Sequence, residues 1–491
     1  MQDDPAEGSG EIARQAATGV MWMTAQTWLA RAGGLLTIAI LSRILAPEAF
    51  GLLAVATALL TLTYVLSDLG LSTYVVQATT VDAKTLSTAF WVSVCGGLVL
   101  SVAILLGAEP VAGLLRAPQA APIIRSMVVV IVLITLTSVP LALLRRRMAF
   151  KLLAIQASAG AILAQIAAIV SALAGLGAWA LVIQLLVGQL VSSIAVWISA
   201  HWRPSWDFSR TEFGVMARYG VNVVGTGLVS VGRTWAETGI ISAGLGIREL
   251  GYWSIAQRLV QTANELSGSA ILPVSTVAFA KVSSSRLRLL GAHEKATAVA
   301  QTVVTPLMVF IAVSSSVLIP FVFGASWSTS AAVAAPLAAA AALSFGTSVD
   351  RGLLDGAGSP GRWFGFSLVI ALLSVTLTTV SAHHGVALVA YAAVITAIVE
   401  TLGRWILMSR FLGAGLLGTA RPFLMVVPAA VCSAAVGLGA MSVLQHTPRP
   451  VVLAATGIAV LGIHALVTRW VTPRVWAEMV ALMPSRRRSH G

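Results

Sequence analysis

Apolar residues along this chain do not alternate with polar ones. They gather into runs of about 20 residues, the length a helix needs to cross roughly 30 Å of hydrocarbon. The runs predict about fourteen spans, near 17–41, 50–76, 86–108, 123–144, 153–174, 177–199, 218–243, 250–279, 298–323, 329–350, 362–382, 385–409, 422–443 and 451–469. Turn chemistry separates several of them: Ala46-Pro47-Glu48, Arg116-Ala117-Pro118, Gly358-Ser359-Pro360-Gly361 and Thr447-Pro448-Arg449-Pro450. Barrel strands would give short alternating segments, which this pattern excludes. The expected fold class is an all-α integral membrane protein of about fourteen transmembrane helices.

Lys and Arg in the short connections set the orientation. With the N-terminus inside, the inside connections hold most of the basic residues, among them Arg145, Arg146, Arg147, Lys151, Lys281 and Arg351, and the tail adds Arg486, Arg487 and Arg488. The outside connections hold five: Arg43, Arg116, Arg125, Arg248 and Arg449. Both ends are therefore expected in the cytoplasm. No outside connection is longer than about 15 residues, too short for the sizeable outer loop of a polysaccharide polymerase or ligase. The inside connection over 201–217 carries Trp202, Trp206, Phe208 and Phe213 among charges, as an interfacial segment does.

The chain also repeats itself at a spacing near 200. Leu45-Ala46-Pro47-Glu48-Ala49-Phe50-Gly51 stands against Leu245-Gly246-Ile247-Arg248-Glu249-Leu250-Gly251, and Thr137-Ser138-Val139 against Thr347-Ser348-Val349. The offset spans six predicted helices, an even number, so both halves have the same orientation. This is one of the repeat geometries of secondary transporters. The expected organisation is a tail over 1–15, an N-lobe over 16–200, the interfacial linker over 201–217, a C-lobe over 218–410, a C-terminal helix pair over 411–470 and a basic tail over 471–491. The two lobes would be pseudo-symmetric around a central cavity.

Composition agrees with the pattern: 57% hydrophobic, 10% charged, mean hydropathy +0.90. The net charge of +13 invites a nucleic-acid reading. The basic residues sit at the ends of apolar runs, which membrane orientation explains and a DNA-binding face does not. Cys95 and Cys432 both lie inside apolar runs and make neither a disulfide framework nor a metal site. The acidic start (Asp3, Asp4, Glu7, Glu11) is unlike a cleavable signal, so the first run is expected to remain as a span. No phosphate-cradling loop with its lysine and no catalytic constellation is present, so neither enzyme activity nor a cofactor is expected. His383-His384 lacks a second ligand pair, and no metal is expected either.

Charged residues inside the spans stand out, because each costs about 2.5–3.5 kcal/mol at mid-bilayer. Thr24, Thr27 and Arg31 share a face of the first span. Asp68 lies in the second. Arg233 and Glu237 are an i, i+4 pair in the seventh. Arg258, Gln261 and Glu265 share a face of the eighth, with Asn264 beside them. Glu400 and Arg404 are again i, i+4 in the twelfth, and Asp350 ends the tenth. Most of these charges fall in the first two helices of each half. In a central cavity, Arg31, Arg233 and Arg258 would face Asp68, Glu237 and Glu265 and receive an anionic group. The plainer reading of Arg233–Glu237 and Glu400–Arg404 is a structural pair within one helix. Arg145-Arg146-Arg147 reads first as a topology determinant, and second as a contact for lipid phosphates.

The stretch Leu41-Ser42-Arg43-Ile44-Leu45-Ala46-Pro47-Glu48-Ala49-Phe50-Gly51-Leu52, followed by Ser67-Asp68-Leu69-Gly70-Leu71, resembles the opening of Wzx-type polysaccharide flippases. Leu250-Gly251-Tyr252-Trp253-Ser254-Ile255-Ala256-Gln257-Arg258-Leu259 is similar to the corresponding second-half segment. The resemblance implies the multidrug/oligosaccharidyl-lipid/polysaccharide exporter superfamily, with two six-helix lobes around a cavity. It also implies movement of a polyprenyl-diphosphate-linked oligosaccharide from the inner to the outer leaflet of a bacterial cytoplasmic membrane. Spans thirteen and fourteen match, by count, the extra helix pair of the related lipid II flippases.

The implied partners are the lipid bilayer, the lipid-linked oligosaccharide and polysaccharide polymerase or assembly proteins, with no nucleic acid. Arg31, Arg233, Arg258, Thr27, Gln261 and Asn264 are the candidate substrate contacts. Asp68, Glu237 and Glu265 are the candidates for ion coupling, and Arg145, Arg146 and Arg147 for phosphate contact at the cytoplasmic face. A drug or cation antiporter of the same superfamily, favouring acidic residues in its cavity, and a non-transporting envelope-assembly scaffold remain the alternatives.

Overall fold

The computed structural model describes residues 26–68, 75, 81–268, 279, 285–357 and 359–482. Helix follows helix, with no strand among the described residues. They are α1 (26–44), α2 (Pro47–Asp68), α3 (Ala83–Leu114), α4 (Ala120–Arg146), α5 (Phe150–Leu173), α6 (Trp179–Ala200), α7 (Arg210–Leu245), α8 (Ile247–Gly268) and α9 (Arg286–Val322). Then come α10 (Ser328–Ser344), α11 (Gly346–Gly356), α12 (Pro360–Ser381), α13 (Val386–Leu412), α14 (Leu416–Leu424), α15 (Val427–Val443), α16 (Arg449–Val471) and α17 (Pro473–Leu482).

Ten helical stretches among the described residues are long and apolar enough to cross a membrane. They carry predicted spans three to six and nine to fourteen, with α10 and α11 acting together, and likewise α14 and α15. The other predicted spans fall on α1, α2, α7 and α8. There α2 keeps a shorter apolar stretch, Pro47–Thr61. In α7 and α8 the apolar run is broken by Arg233, Glu237, Arg258 and Glu265. The charges that single out these helices in the sequence are therefore also what lowers their hydropathy. The protein is a multi-pass membrane protein. On α3, Leu98, Val99, Val102, Leu105 and Leu106 are exposed together; in water they would form an apolar patch, and in a bilayer they face hydrocarbon.

The chain forms two compact units, Met1–Ser254 and Ile255–Gly491. In the first, α3 packs on α4, α5 on α6, and α4 on α6; α2 lies against α4 and α7. In the second, α9 packs on α10, α12 on α13, and α10 on α13. The same pairing recurs in each unit, at the offset that the sequence repeat gives. The last two predicted spans pair with each other and lie on α9.

His201, with a left-handed φ of 47°, ends α6. The chain from there to Ser209 is strapped across the start of α3. Ser205 N donates to Ser87 Oγ at 3.0 Å, Trp91 Nε1 donates to the Ser205 carbonyl at 2.8 Å, and Ser209 N donates to Thr88 Oγ1 at 3.0 Å. Trp206 stacks on Trp91 with ring centroids 4.4 Å apart, while Trp202 and Trp197 both meet Phe90 edge-on. Asp82 caps α3 through the Thr85 amide at 2.7 Å. Hydrogen bonding by Thr85 holds the Asp82 carboxyl below the usual carboxylate range. Aromatic residues thus gather at one end of the bundle, as they do at a membrane–water boundary.

Candidate functional site

The matched repeat segments meet in the structure. Gly51 on α2 lies against the Ile247 carbonyl, and Gly251 on α8 lies against the Pro47 carbonyl. Position 47 stands to 247 as 51 stands to 251, so the contact is reciprocal under the repeat. Glu48 and Arg248, also equivalent positions, form an ion pair at 3.5 Å. No side chain fits where either glycine meets a carbonyl, so the two helix starts cross in direct backbone contact. Nearby, Trp235 Nε1 on α7 donates to the Ala58 carbonyl of α2 at 2.8 Å, and Ser242 Oγ donates to the Leu115 carbonyl at 2.9 Å. Through these bonds α7 is fixed to both α2 and the end of α3.

On α7, Arg233 Nε donates to Glu237 Oε1 at 2.7 Å, with the two side chains 33% and 17% exposed. The helical pairing read from the sequence is present, and the arginine keeps part of its surface open. Thr27 and Arg31 lie one turn apart on α1, both half-buried. Asp68 closes α2, and its side chain lies outside the described residues. In the second unit, Arg258, Gln261 and Glu265 are exposed on one face of α8. Asn264 is half-buried beside them, and its Oδ1 has no hydrogen-bond partner among the described residues. A helix predicted to span the bilayer thus presents a polar face.

Two of the three clustered arginines at the end of α4 are engaged. Arg146 Nη1 donates to the Val75 carbonyl and Arg147 Nη1 to the Ala200 carbonyl, both at 2.9 Å. Arg147 thereby satisfies a carbonyl at the C-terminal end of α6, a favourable place for a cation. Arg145 is exposed.

The second unit holds a buried ionic cluster. Arg404 on α13 does not pair with Glu400. Its Nη1 donates to Asp350 Oδ2 on α11 at 2.8 Å, and its Nη2 to the Leu343 carbonyl at 3.3 Å. His293 Nε2 on α9 meets Asp350 Oδ1 at 2.6 Å. Glu400 instead accepts from Ser344 Oγ at 2.9 Å and Thr347 Oγ1 at 2.8 Å. The intrahelical reading of Glu400–Arg404 is overturned, because the carboxylate of Asp350 offers Arg404 a dry partner. His293 carries no signal in the sequence. Asp350 does: a carboxylate closing an apolar run calls for a buried partner.

Comparison with known proteins bears on what this arrangement serves. Residues 40–332, more than half of the chain, match a family model described as polysaccharide biosynthesis protein. The chain is 27% identical over 349 residues to the succinoglycan biosynthesis transport protein ExoT of Rhizobium meliloti, covering 71% of each chain. It is 24% identical over 318 residues to the lipopolysaccharide biosynthesis protein WzxC of Escherichia coli, covering 64% of each. Its fold is similar to that of the lipid II flippase MurJ, with a TM-score of 0.75 at 14% identity over 92% of this chain and 98% of that one.

Proposed function

Because this chain belongs to the polysaccharide biosynthesis protein family, we propose that it is a flippase moving a polyprenyl-diphosphate-linked oligosaccharide from the inner to the outer leaflet by alternating access. The family match carries the reading. The physics agrees with it: a diphosphate bearing sugars cannot enter hydrocarbon unaided, since burying unpaired charge is prohibitive. Arginines in a shielded site would neutralise the diphosphate while the polyprenyl tail stays in lipid. Arg31, Arg233 and Arg258 serve as those arginines. Thr27, Gln261 and Asn264 supply hydrogen bonds to the sugar-phosphate, and Asp68, Glu237 and Glu265 are the acids through which an ion gradient would act. Arg145, with Arg146 and Arg147 behind it, makes the first contact with lipid phosphate at the cytoplasmic face. The crossing of α2 and α8 lies on the outer side in the orientation that the Lys and Arg distribution favours, and there it closes the path outward. No reaction is catalysed, and the protein works in the bacterial cytoplasmic membrane with both termini inside, handing its cargo to polysaccharide assembly proteins.

Depleting the protein in its host tests the function. One polyprenyl-diphosphate oligosaccharide should accumulate by lipid mass spectrometry, shielded from a glycosidase added outside. Unchanged levels of every such lipid, in a host without a second flippase, would sink the proposal.

A charge exchange tests the site. Arg233→Ala should lower flipping at least ten-fold in reconstituted vesicles. Arg233→Glu/Glu237→Arg keeps an i, i+4 ion pair and should stay at least ten-fold impaired. If the exchanged pair recovers full flipping, the pair is structural and Arg233 does not bind cargo.

A further inference from the structure

We propose that His293, Asp350 and Arg404 form a proton-binding site at the junction of α9, α11 and α13, with Nδ1 of His293 as the atom that takes and releases the proton. The site shares no residue with those assigned above to cargo or to ion coupling, and it does not depend on what the protein transports.

The hydrogen bonds define which nitrogen is free. Asp350 is paired through one oxygen with the Arg404 guanidinium, and we take it as the carboxylate, with acceptor capacity only. With a carboxylate there, the 2.6 Å contact on its other oxygen places the hydrogen on His293 Nε2. That leaves Nδ1, which is buried and has no hydrogen-bond partner among the described residues. His293, Asp350 and Arg404 are 2%, 3% and 3% exposed. A buried polar atom without a partner is rare and calls for an explanation.

The surroundings supply one. A small cavity lined by His293, Gln301, Asp350, Arg404 and Thr419 opens beside the cluster. Gln301 Oε1 and Arg404 Nε are also buried and without partners among the described residues, one an acceptor and the other a donor. Water entering this cavity would accept from Arg404 Nε and donate to Gln301 Oε1. It would also give Nδ1 a source and a sink for a proton. Tying α11 to α13 needs only Asp350 and Arg404; the histidine adds a group able to change its charge.

The charge count favours a reason for that change. Asp350 and Arg404 offset each other. Glu400, one turn before Arg404, is held by two hydroxyls. Two carboxylates thus accompany one guanidinium, and a proton on His293 restores the balance in a medium where uncompensated charge is costly. The other titratable groups described on the helices packed here do not line the cavity. Arg286, Arg288 and Lys295 on α9, Tyr391 and Arg410 on α13, Arg421 on α14, Cys432 on α15 and Arg474 on α17 are exposed, as are Arg362 on α12 and Arg449 and Arg469 on α16. The side chain of Glu478 on α17 lies outside the described residues. Arg351 pairs with Asp355 on α11 at 3.6 Å. Glu294 is half-buried beside His293 in the chain, α10 brings no titratable group, and His464 on α16 lies level with Thr302, further along α9.

Nitrogen-15 NMR of histidine-labelled full-length protein in lipid nanodiscs tests this directly. His293→Gln keeps an N–H donor for Asp350 and removes one imidazole, which assigns the His293 signal. If that variant fails to fold, Thr297→Val, which alters the hydroxyl 3.4 Å from Nε2, assigns it by displacement. The expected result is that Nδ1 changes from the unprotonated to the protonated state as pH is lowered, while Nε2 stays protonated throughout. An Nδ1 signal fixed in one state across the titration overturns the proposal, as does a proton that exchanges at Nε2 instead.

Discussion

Asp350→Ala is expected to cost the fold about 3–5 kcal/mol, the range for removing one partner of a buried ion pair. The side chains of Asp350 and Arg404 are 4% and 3% exposed, so bulk solvent does not replace the lost contact. The guanidinium would keep the Leu343 carbonyl as an acceptor and lose the carboxylate it is paired with. It also lies close over the backbone of Gly346, where a Cβ would come within 2.6 Å of Nη1, which leaves it little room to turn toward another partner. Asp350→Ala/Arg404→Met should recover most of the loss, because an apolar replacement of the whole pair avoids the desolvation that the single variant leaves unmet. Unfolding in detergent, followed by tryptophan fluorescence, measures both. If the single variant loses under about 1 kcal/mol, or the double variant loses the sum of the singles, the pair does not hold the junction together.

Gly251→Ala is expected to destabilise the protein even though alanine is the better helix former by about 1 kcal/mol. A Cβ at Gly251 runs into the Pro47 carbonyl, and one at Gly51 into the Ile247 carbonyl. Both obstacles are backbone, so the helices themselves must separate, and overpacking of this kind costs about 1–3 kcal/mol. Gly96 on α3 has open space around its Cβ position and serves as the control: Gly96→Ala should leave the melting temperature unchanged or raise it. On the proposed function, flipping in vesicles should also fall with Gly51→Ala and Gly251→Ala, since the crossing proposed to close the outward path would no longer pack. A melting temperature for Gly251→Ala equal to that of the control would show that the contact is not tight in the folded protein.

These two sites differ in how much of them the sequence displays. The crossing is half legible. The match of residues 45–51 with 245–251 is plain in the chain, and a glycine at the same place in both copies hints at close approach. That the two copies touch each other, with Glu48 meeting Arg248, is a fact of assembly. The ion pair on α7 was legible in full, because residues four apart on a helix are neighbours whatever surrounds them. The same rule misleads at Glu400 and Arg404. There the rival partner lies 54 residues away in the chain, and a local rule gives no weight to it. His293 was invisible for the same reason, since its meaning comes entirely from Asp350 beside it.

What the sequence determined by itself is the partition between lipid and water. Runs of apolar residues, basic residues at their ends and charges confined to a few helices all follow from transfer free energies that act residue by residue. That reasoning placed the helices, the repeat and the polar members α1, α2, α7 and α8, and the resemblance over residues 41–52 pointed to the family. Tertiary structure alone decided which charged group meets which, where backbones touch, and that the linker over 201–209 is bound to α3. The physical reason is that a desolvated charge takes its best-satisfied partner among all those that folding brings near. Inside a low-dielectric bundle the difference between partners amounts to several kcal/mol, far more than the fraction of a kcal/mol by which an i, i+4 neighbour is favoured.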